Sequence, residues 1–138
     1  MDEDDELGRL ASARVGRLAT ADAGGVPHVV PFVFAVLGRT MYWAVDRKPK
    51  RSARLKRLDN IAANPNVEVV ADHYEEDWTR LWWVRASGVA RVVAEEPERA
   101  RALRALAEKY DRYRDQPPNG PVVAVDLVRI SGWTAGQR

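Results

Sequence analysis

The stretch GRLATADAGGVPHVVPFVFAVLGRTMYWAVD, residues 16–46, contains three runs of strand-forming residues separated by two glycine turns. The first run alternates in polarity and ends at Gly24-Gly25, which is typical of a hairpin. The second run is almost entirely apolar, so both of its faces should be covered, and its two prolines prevent pairing along its full length. These features predict an antiparallel meander of three strands, over 16–22, 26–37 and 40–46.

After residue 46 the sequence alternates between helical and strand-like segments. Pro49 suits the first position of a helix, and Gly88 predicts a bend or bulge within one long strand. The predicted helices cover 4–12, 49–64 and 97–113, and the further predicted strands cover 66–74, 80–96 and 122–133. Six antiparallel strands in so short a chain close most economically into a small barrel. We therefore predict a mainly β fold, an antiparallel β-barrel with helices in its connections, whose apolar second strand a dimer would cover.

Length and composition limit the classes of protein to consider. The 138 residues make one domain, 1–138, and the absence of cysteine excludes a disulfide scaffold and thiol catalysis and fits the cytoplasm. The acidic start MDEDDE is unlike a signal peptide, and we expect residues 1–6 to be flexible. No apolar run reaches the roughly 20 residues that span a bilayer, so we expect no membrane partner. The net charge is +2, but without the five acids of residues 2–6 the chain carries +7, which favours an anionic partner.

Most of this positive charge lies in DRKPKRSARLKRL, residues 46–58, where seven of the eleven residues from Arg47 to Arg57 are Lys or Arg. On the predicted helix, Lys50, Arg54 and Arg57 share one face. Its N-terminus adds free N–H groups, so the segment suits a phosphate or carboxylate. The alternatives are a solvated charged face and a nucleic-acid surface. No nucleic-acid motif accompanies the charges, so we expect no nucleic-acid partner.

A second notable stretch is DHYEEDWTRLWW, residues 72–83. Its one histidine stands among acids without metal-ligand spacing, so we predict no metal site. Trp82 and Trp83 point to opposite faces of a strand, so one indole fits the core. The other, with Trp78, is left for a dimer interface or the wall of a flat-ligand pocket, unless all three serve packing.

The sequence has no other established catalytic pattern. His28 stands alone on an apolar strand, and G-x-S-x-G, G-x-G-x-x-G and P-loop motifs are absent. If the protein is an enzyme, its chemistry should belong to a bound cofactor.

The order G-R-L-A-T, V-P-H-V-V-P-F-V-F, M-Y-W-A-V-D and K-P-K-R-S-A-R-L-K-R-L-D-N-I-A-A-N-P-N-V resembles the pyridoxamine 5'-phosphate oxidase-like (PPOX class) flavin and deazaflavin proteins, over about residues 7–134. The block D-H-Y-E-E-D-W-T-R-L-W-W-V-R is similar to an actinobacterial branch of coenzyme F420-dependent oxidoreductases. The resemblance implies an FMN-binding split β-barrel, six-stranded with Greek-key character. It also implies a homodimer with two cofactors in clefts at the subunit interface.

The same resemblance implies the cofactor-binding residues. Those along the ring would be Val30, Pro31 and Phe32, with Ala44 and Val45 opposite. Those at the phosphate would be Lys48, Lys50, Arg51, Arg54 and Arg57. The family often has lysine at the last position, and either residue supplies a cation. The acidic tail of coenzyme F420 would account for so many cations, while FMN is the alternative cofactor.

The function implied is hydride transfer between coenzyme F420 and an unidentified small organic acceptor. His73, Tyr74 and Trp78 are the candidates on the acceptor side. Two alternatives remain open at this point. One is an FMN-dependent enzyme of the pyridoxamine-phosphate-oxidase type. The other is a non-catalytic module that binds a flavin, a deazaflavin or haem.

Overall fold

The computed structural model describes residues 1–46 and 55–136, which form a seven-stranded antiparallel sheet with four α-helices. The strands are β1 (Gly16–Ala21), β2 (Pro27–Phe32), β3 (Ala35–Leu37), β4 (Thr40–Ala44), β5 (Asn66–His73), β6 (Trp82–Val93) and β7 (Val122–Thr134). The helices are α1 (Glu3–Ser12), α2 (Lys56–Ala63), α3 (Glu98–Lys109) and α4 (Asp111–Asp115), with a 3-10 turn at Trp78–Arg80. The predicted mainly β fold is confirmed, with seven strands rather than six.

The sheet closes on itself because its two edges are consecutive in sequence. The strand order is β2-β1-β5-β6-β7-β4-β3, so β2 and β3 lie at opposite edges. Only Val33 and Phe34 separate them in the chain, and such a connection spans roughly 11 Å at most. The edges are therefore neighbours in space, and the sheet is a barrel split between β2 and β3.

The predicted single strand over 26–37 and the three-strand meander are wrong. The run divides into β2, which pairs with β1, and β3, which pairs with β4. Pro27 and Pro31 have no N–H to donate, so β2 suits an edge with one neighbour rather than the middle of a sheet. The predicted hairpin between β1 and β2 is confirmed, and the Asp22 carboxylate closes it by accepting hydrogen bonds from the backbone N–H groups of Gly24 and Val26, both at 2.9 Å.

The long strand predicted around Gly88 is confirmed, including its irregularity. The register of β6 against β7 shifts between Ser87 and Gly88. A Cβ atom on Gly88 would lie 2.5 Å from Cγ1 of Val125 and 2.8 Å from the carbonyl oxygen of Asp126. Glycine is therefore required for the close approach of the two strands at this bulge.

Two helical predictions need correction. Leu55 is extended (φ −81°, ψ 129°) and α2 begins at Lys56, so a continuous helix from Pro49 is wrong. Lys50 and Arg54, which were predicted to share a helical face with Arg57, lie outside the described residues. The predicted helix over 97–113 is likewise divided into α3 and α4, because the residue between them is extended.

The main core fills the barrel, and α1 covers part of it. Leu10 of α1 is fully buried and Glu6 is nearly so, so this helix packs closely against the barrel. Tyr42 and Trp43 are adjacent on β4 and therefore face opposite sides. Trp43 lies in the main core, and Tyr42 lies in a second cluster with Ala102 of α3. In the part of the chain that the structure describes, every helix is too short or too polar to cross a membrane.

Candidate functional site

A cleft of about 300 Å³ opens where the end of β2 and the Val33–Phe34 crossover approach the end of β4. Its lining residues are Val15, Pro31, Phe32, Val33, Trp43, Ala44, Arg57 and Tyr113. We call it the Arg57 cleft. Its walls are apolar and aromatic except for the guanidinium group. Such a surface suits a flat ring that carries a negative charge.

The cleft brings together four of the ten predicted cofactor-binding residues, namely Pro31, Phe32, Ala44 and Arg57. Val30 does not line it and packs instead against the main core. Val45 does not line it either; its side chain belongs to the main core and its backbone N–H donates to the Pro121 carbonyl at 2.9 Å. The other four predicted residues, Lys48, Lys50, Arg51 and Arg54, lie outside the described residues.

Arg57 lies over the indole of Trp43, with its guanidinium carbon 4.9 Å from the ring centroid. Trp43 is 1% exposed and Arg57 is half-buried. Burial lowers the pKa of the Arg57 guanidinium, and Tyr113 partly opposes this shift. Among the described residues, neither Nε of Arg57 nor Nε1 of Trp43 has a hydrogen-bond partner. Unpaired buried donors are costly, so a ligand that supplied acceptors would be stabilised at this point.

Val15, Val33, Trp43 and Tyr113 line the cleft but were not predicted as site residues. Trp43 and Val33 carry a weak sequence signal, because each adjoins a predicted residue. Tyr113 carries none, since it follows β4 by a long stretch of chain and reaches the cleft only through the placement of α4. A local pattern cannot report such a contact.

The candidates for the acceptor side lie elsewhere, in the connection between β5 and β6. Tyr74 is 62% exposed and Trp78 is 65% exposed, and the indole N–H of Trp78 donates to the Tyr74 hydroxyl at 3.4 Å. His73 contacts the carboxylate of Glu75, which also accepts from Nε of Arg80 at 3.1 Å. These two neighbours hold the pKa of the Glu75 carboxyl below its usual range. None of the three candidates is among the described residues that line the cleft.

The outer face of the sheet is also concave and adjoins the cleft. Pro31 of the cleft pairs with Arg17, and the same cross-strand row continues through Val70 and Arg85 to Ser131. The concavity has a volume of about 670 Å³. It combines apolar side chains with several arginines, so this face differs from an ordinary solvated surface.

Solved structures of the same fold come from several bacteria. The conserved hypothetical protein Rv2991 of Mycobacterium tuberculosis is 24% identical with a TM-score of 0.80, covering 98% of this chain and 86% of that chain. The FAD-binding protein of Mycobacterium smegmatis is 28% identical with a TM-score of 0.69, covering 96% and 95%. The haem storage protein HutZ of Vibrio cholerae is 16% identical with a TM-score of 0.72, covering 97% and 95%.

No curated protein sequence matches this chain. The family model described as pyridoxamine 5'-phosphate oxidase matches residues 3–134, which is nearly the whole length. The split barrel and the cleft beside its open edge are consistent with this match. The chain belongs to the pyridoxamine 5'-phosphate oxidase family.

Proposed function

We propose that this protein is an oxidoreductase that binds coenzyme F420 in the Arg57 cleft and transfers hydride between the coenzyme and a small organic acceptor. The observation that carries the proposal is the pair of unpartnered donors, Nε of Arg57 and Nε1 of Trp43, in an otherwise apolar wall. Family membership supports a flavin-type ligand, and so does the 28% identical FAD-binding relative.

The residues of the cleft fit such a ligand. Pro31, Phe32 and Ala44 offer an apolar wall for a flat ring, and Arg57 offers the cation that a phosphate or carboxylate requires. When bound, the deazaflavin supplies the hydride chemistry. The protein's own residues then orient the ring, exclude water from one of its faces and balance its negative charge.

The size of the cleft favours a homodimer. About 300 Å³ is at the lower limit of ligand pockets, so one chain encloses only part of a cofactor of this size. A second copy on the adjoining outer face would close the site and cover Val29 and Trp133, which are exposed on that face. Light scattering would report the mass in solution. A Val70→Asp variant should then dissociate the dimer, and a monomeric wild-type protein would contradict this part of the proposal.

Two other functions are the alternatives to a coenzyme F420-dependent oxidoreductase. An FMN-dependent enzyme is favoured by the family and by the FAD-binding relative. A non-catalytic haem module has weaker support, since the haem storage protein shares the fold at only 16% identity. No histidine lines the cleft within the described ranges, so an axial ligand would have to come from elsewhere.

The proposal is tested by titrating the protein with coenzyme F420 and with FMN while following fluorescence. We expect coenzyme F420 to bind at micromolar concentration and more tightly than FMN. Arg57→Ala should weaken binding about tenfold or more, because it removes a partly desolvated cation. Arg104→Ala, which removes an exposed cation from α3, is the matched control and should not change affinity.

Turnover separates an enzyme from a binding module. Reduced coenzyme F420 should be oxidised in stopped-flow experiments when quinones or unsaturated ketones are added as acceptors. Binding without oxidation by any acceptor would indicate a storage or sensing role. Binding of neither cofactor would overturn the proposed function.

A further inference from the structure

The Val33–Phe34 crossover between the two edges of the sheet is held by side chains from the junction of α3 and α4. Phe34 is fully buried and belongs to neither edge strand. Its N–H donates to the Tyr110 hydroxyl at 3.2 Å, and its carbonyl accepts from Nζ of Lys109 at 2.9 Å. Side chains 75 and 76 residues further along the chain therefore replace the lost sheet partners.

The hydroxyl of Tyr110 makes a third link. Its oxygen lies 3.1 Å from the Phe34 carbonyl and 3.0 Å from the Arg14 carbonyl, but a hydroxyl has only one proton. Lys109 already donates to the Phe34 carbonyl. The arrangement that satisfies every group therefore has Tyr110 accepting from the Phe34 N–H and donating to the Arg14 carbonyl.

The side chain of Arg14 also contacts both Lys109 and Tyr110. Its Nη2 donates to the Lys109 carbonyl at 2.9 Å, and its guanidinium carbon lies 4.8 Å from the centroid of the Tyr110 ring. Three separate segments of the chain meet in this group. We call Arg14, Phe34, Lys109 and Tyr110 together the Tyr110 knot.

Each of these three segments also supplies a wall of the Arg57 cleft. Val15 follows Arg14, Val33 precedes Phe34, and Tyr113 lies on α4, with its ring centroid 6.0 Å from that of Tyr110. Val15 and Val33 lie outside the strands, and α4 has only five residues. The backbone hydrogen bonds of the sheet therefore do not position these walls. The hydrogen bonds of the Tyr110 knot hold them in place instead.

We infer that the Tyr110 knot sets the width of the Arg57 cleft, and that Tyr110 and Lys109 are positioning residues for the flat anionic ligand bound there. The nature of the ligand rests on the proposed function, whereas the placement of the walls does not. A small displacement of walls that sandwich a ring reduces affinity strongly, since contact and orientation are lost together.

The test compares two tyrosines that each lose one hydroxyl. Tyr110→Phe removes the hydroxyl of the knot without leaving a large cavity. Tyr42→Phe is the matched control, because Tyr42 donates to Glu98 at 2.7 Å and so also ties α3 to the barrel, but it lies in the second core cluster. Three quantities are measured for both variants: the melting temperature, the hydrogen exchange of each segment, and the affinity for coenzyme F420 and FMN.

We expect the two variants to lose similar amounts of thermal stability. Only Tyr110→Phe should raise exchange at residues 14–15, 33–34 and 110–113 together, and it should weaken cofactor binding about tenfold. Equal exchange patterns and equal affinities for the two variants would overturn the inference. A wild-type protein that binds neither cofactor would overturn the proposed function alone, because the exchange pattern would still decide the role of the knot.

Lys109 provides a second route if Tyr110→Phe fails to fold. Lys109→Met should raise exchange at residues 33–34 and weaken binding, because the Phe34 carbonyl loses its donor. Lys109→Arg retains a donor and a cation, so it should restore both properties. Failure of Lys109→Arg to restore either of them, with the protein folded, would count against a positioning role.

Discussion

Tyr42 and Trp43 are neighbours on β4 that serve opposite sides of the sheet. The Tyr42 hydroxyl donates to the Glu98 carboxylate at 2.7 Å, whereas the Trp43 indole lies under Arg57 in the cleft. The alternation of side chains along a strand makes this separation unavoidable. Interactions that hold α3 to the barrel and interactions that bind a ligand can therefore be changed independently.

The stacking of Arg57 on Trp43 predicts that the shape of the cation matters as well as its charge. Arg57→Lys keeps a charge but loses the planar group and the Nε donor. We expect its affinity for the cofactor to be about threefold to fivefold lower than that of the wild type, but higher than that of Arg57→Ala. Fluorescence titration measures all three. Equal affinities of the lysine and alanine variants would show that charge at this position is not used.

The ion cluster on the other side of β4 predicts acid sensitivity. Arg91 donates to Glu98 at 2.7 and 2.8 Å, and with Tyr42 it lowers the pKa of Glu98 to about 2. A carboxyl whose pKa is depressed in the folded state stabilises the fold above its unfolded pKa, and this stability is lost as pH falls toward about 2. We expect Glu98→Gln to lower the free energy of unfolding at pH 7 by on the order of 1 kcal/mol, since the group is partly exposed.

Urea unfolding at a series of pH values between about 5 and 2 checks this prediction. Glu98→Gln should flatten the dependence on pH. It should not abolish it, because Asp126 shares Arg91 and its pKa is also lowered. Glu108→Gln on the same helix is the control and should keep the wild-type slope. A wild-type slope in Glu98→Gln would contradict the assignment.

Two glycine substitutions, one at the bulge in β6 and one in α1, should have opposite effects on the free energy of unfolding. Gly88→Ala places a Cβ atom against Val125 and the backbone of Asp126, so it should lower the free energy of unfolding by about 2–3 kcal/mol. Gly8→Ala in α1 meets nothing within 4 Å and should raise it by about 0.5–1 kcal/mol, because alanine favours a helix. Thermal unfolding of both variants measures the difference. A neutral Gly88→Ala would show that β6 and β7 can separate at this point.

The burial of Lys109 predicts that the free energy of unfolding rises with pH above neutrality. Burial, with a smaller contribution from Arg14, lowers the pKa of Lys109 to about 8. Between this value and the ordinary lysine pKa the unfolded chain binds the proton more tightly, so stability rises with pH over that range. The Phe34 carbonyl and the rings of Phe34 and Tyr110 favour the charged form and limit the gain to about 1 kcal/mol.

Unfolding between about pH 7.5 and 9 measures this effect, because few tyrosines of the unfolded chain ionise in that range. Lys109→Met should be flat over the same range, since it removes the titrating group. Lys56→Met, in which an exposed lysine of α2 is replaced, should retain the wild-type rise. A rise that persists in Lys109→Met would assign the effect to another group.

Much of this protein could be predicted from local sequence. The glycine turns predict the hairpin between β1 and β2, Gly88 predicts the bulge in β6, and the residue order identifies the family. Four of the predicted cofactor residues meet in one cleft, because Pro31, Phe32, Ala44 and Arg57 lie in segments that the family pattern marks. The homodimer, the hydride acceptor, the choice of coenzyme F420 and the cytoplasmic location stay predictions.

Only the tertiary structure decided how the apolar run over 26–37 divides between two edges of the sheet. A strand-forming residue favours a strand wherever it stands, but its partner depends on the closure of the whole barrel. The same closure brings Arg14, Phe34 and Tyr110 together and places Tyr113 in the cleft. The sequence by itself therefore determined most of the strands, the turns and the family, while non-local packing determined how the run over 26–37 divides and which residues form the site.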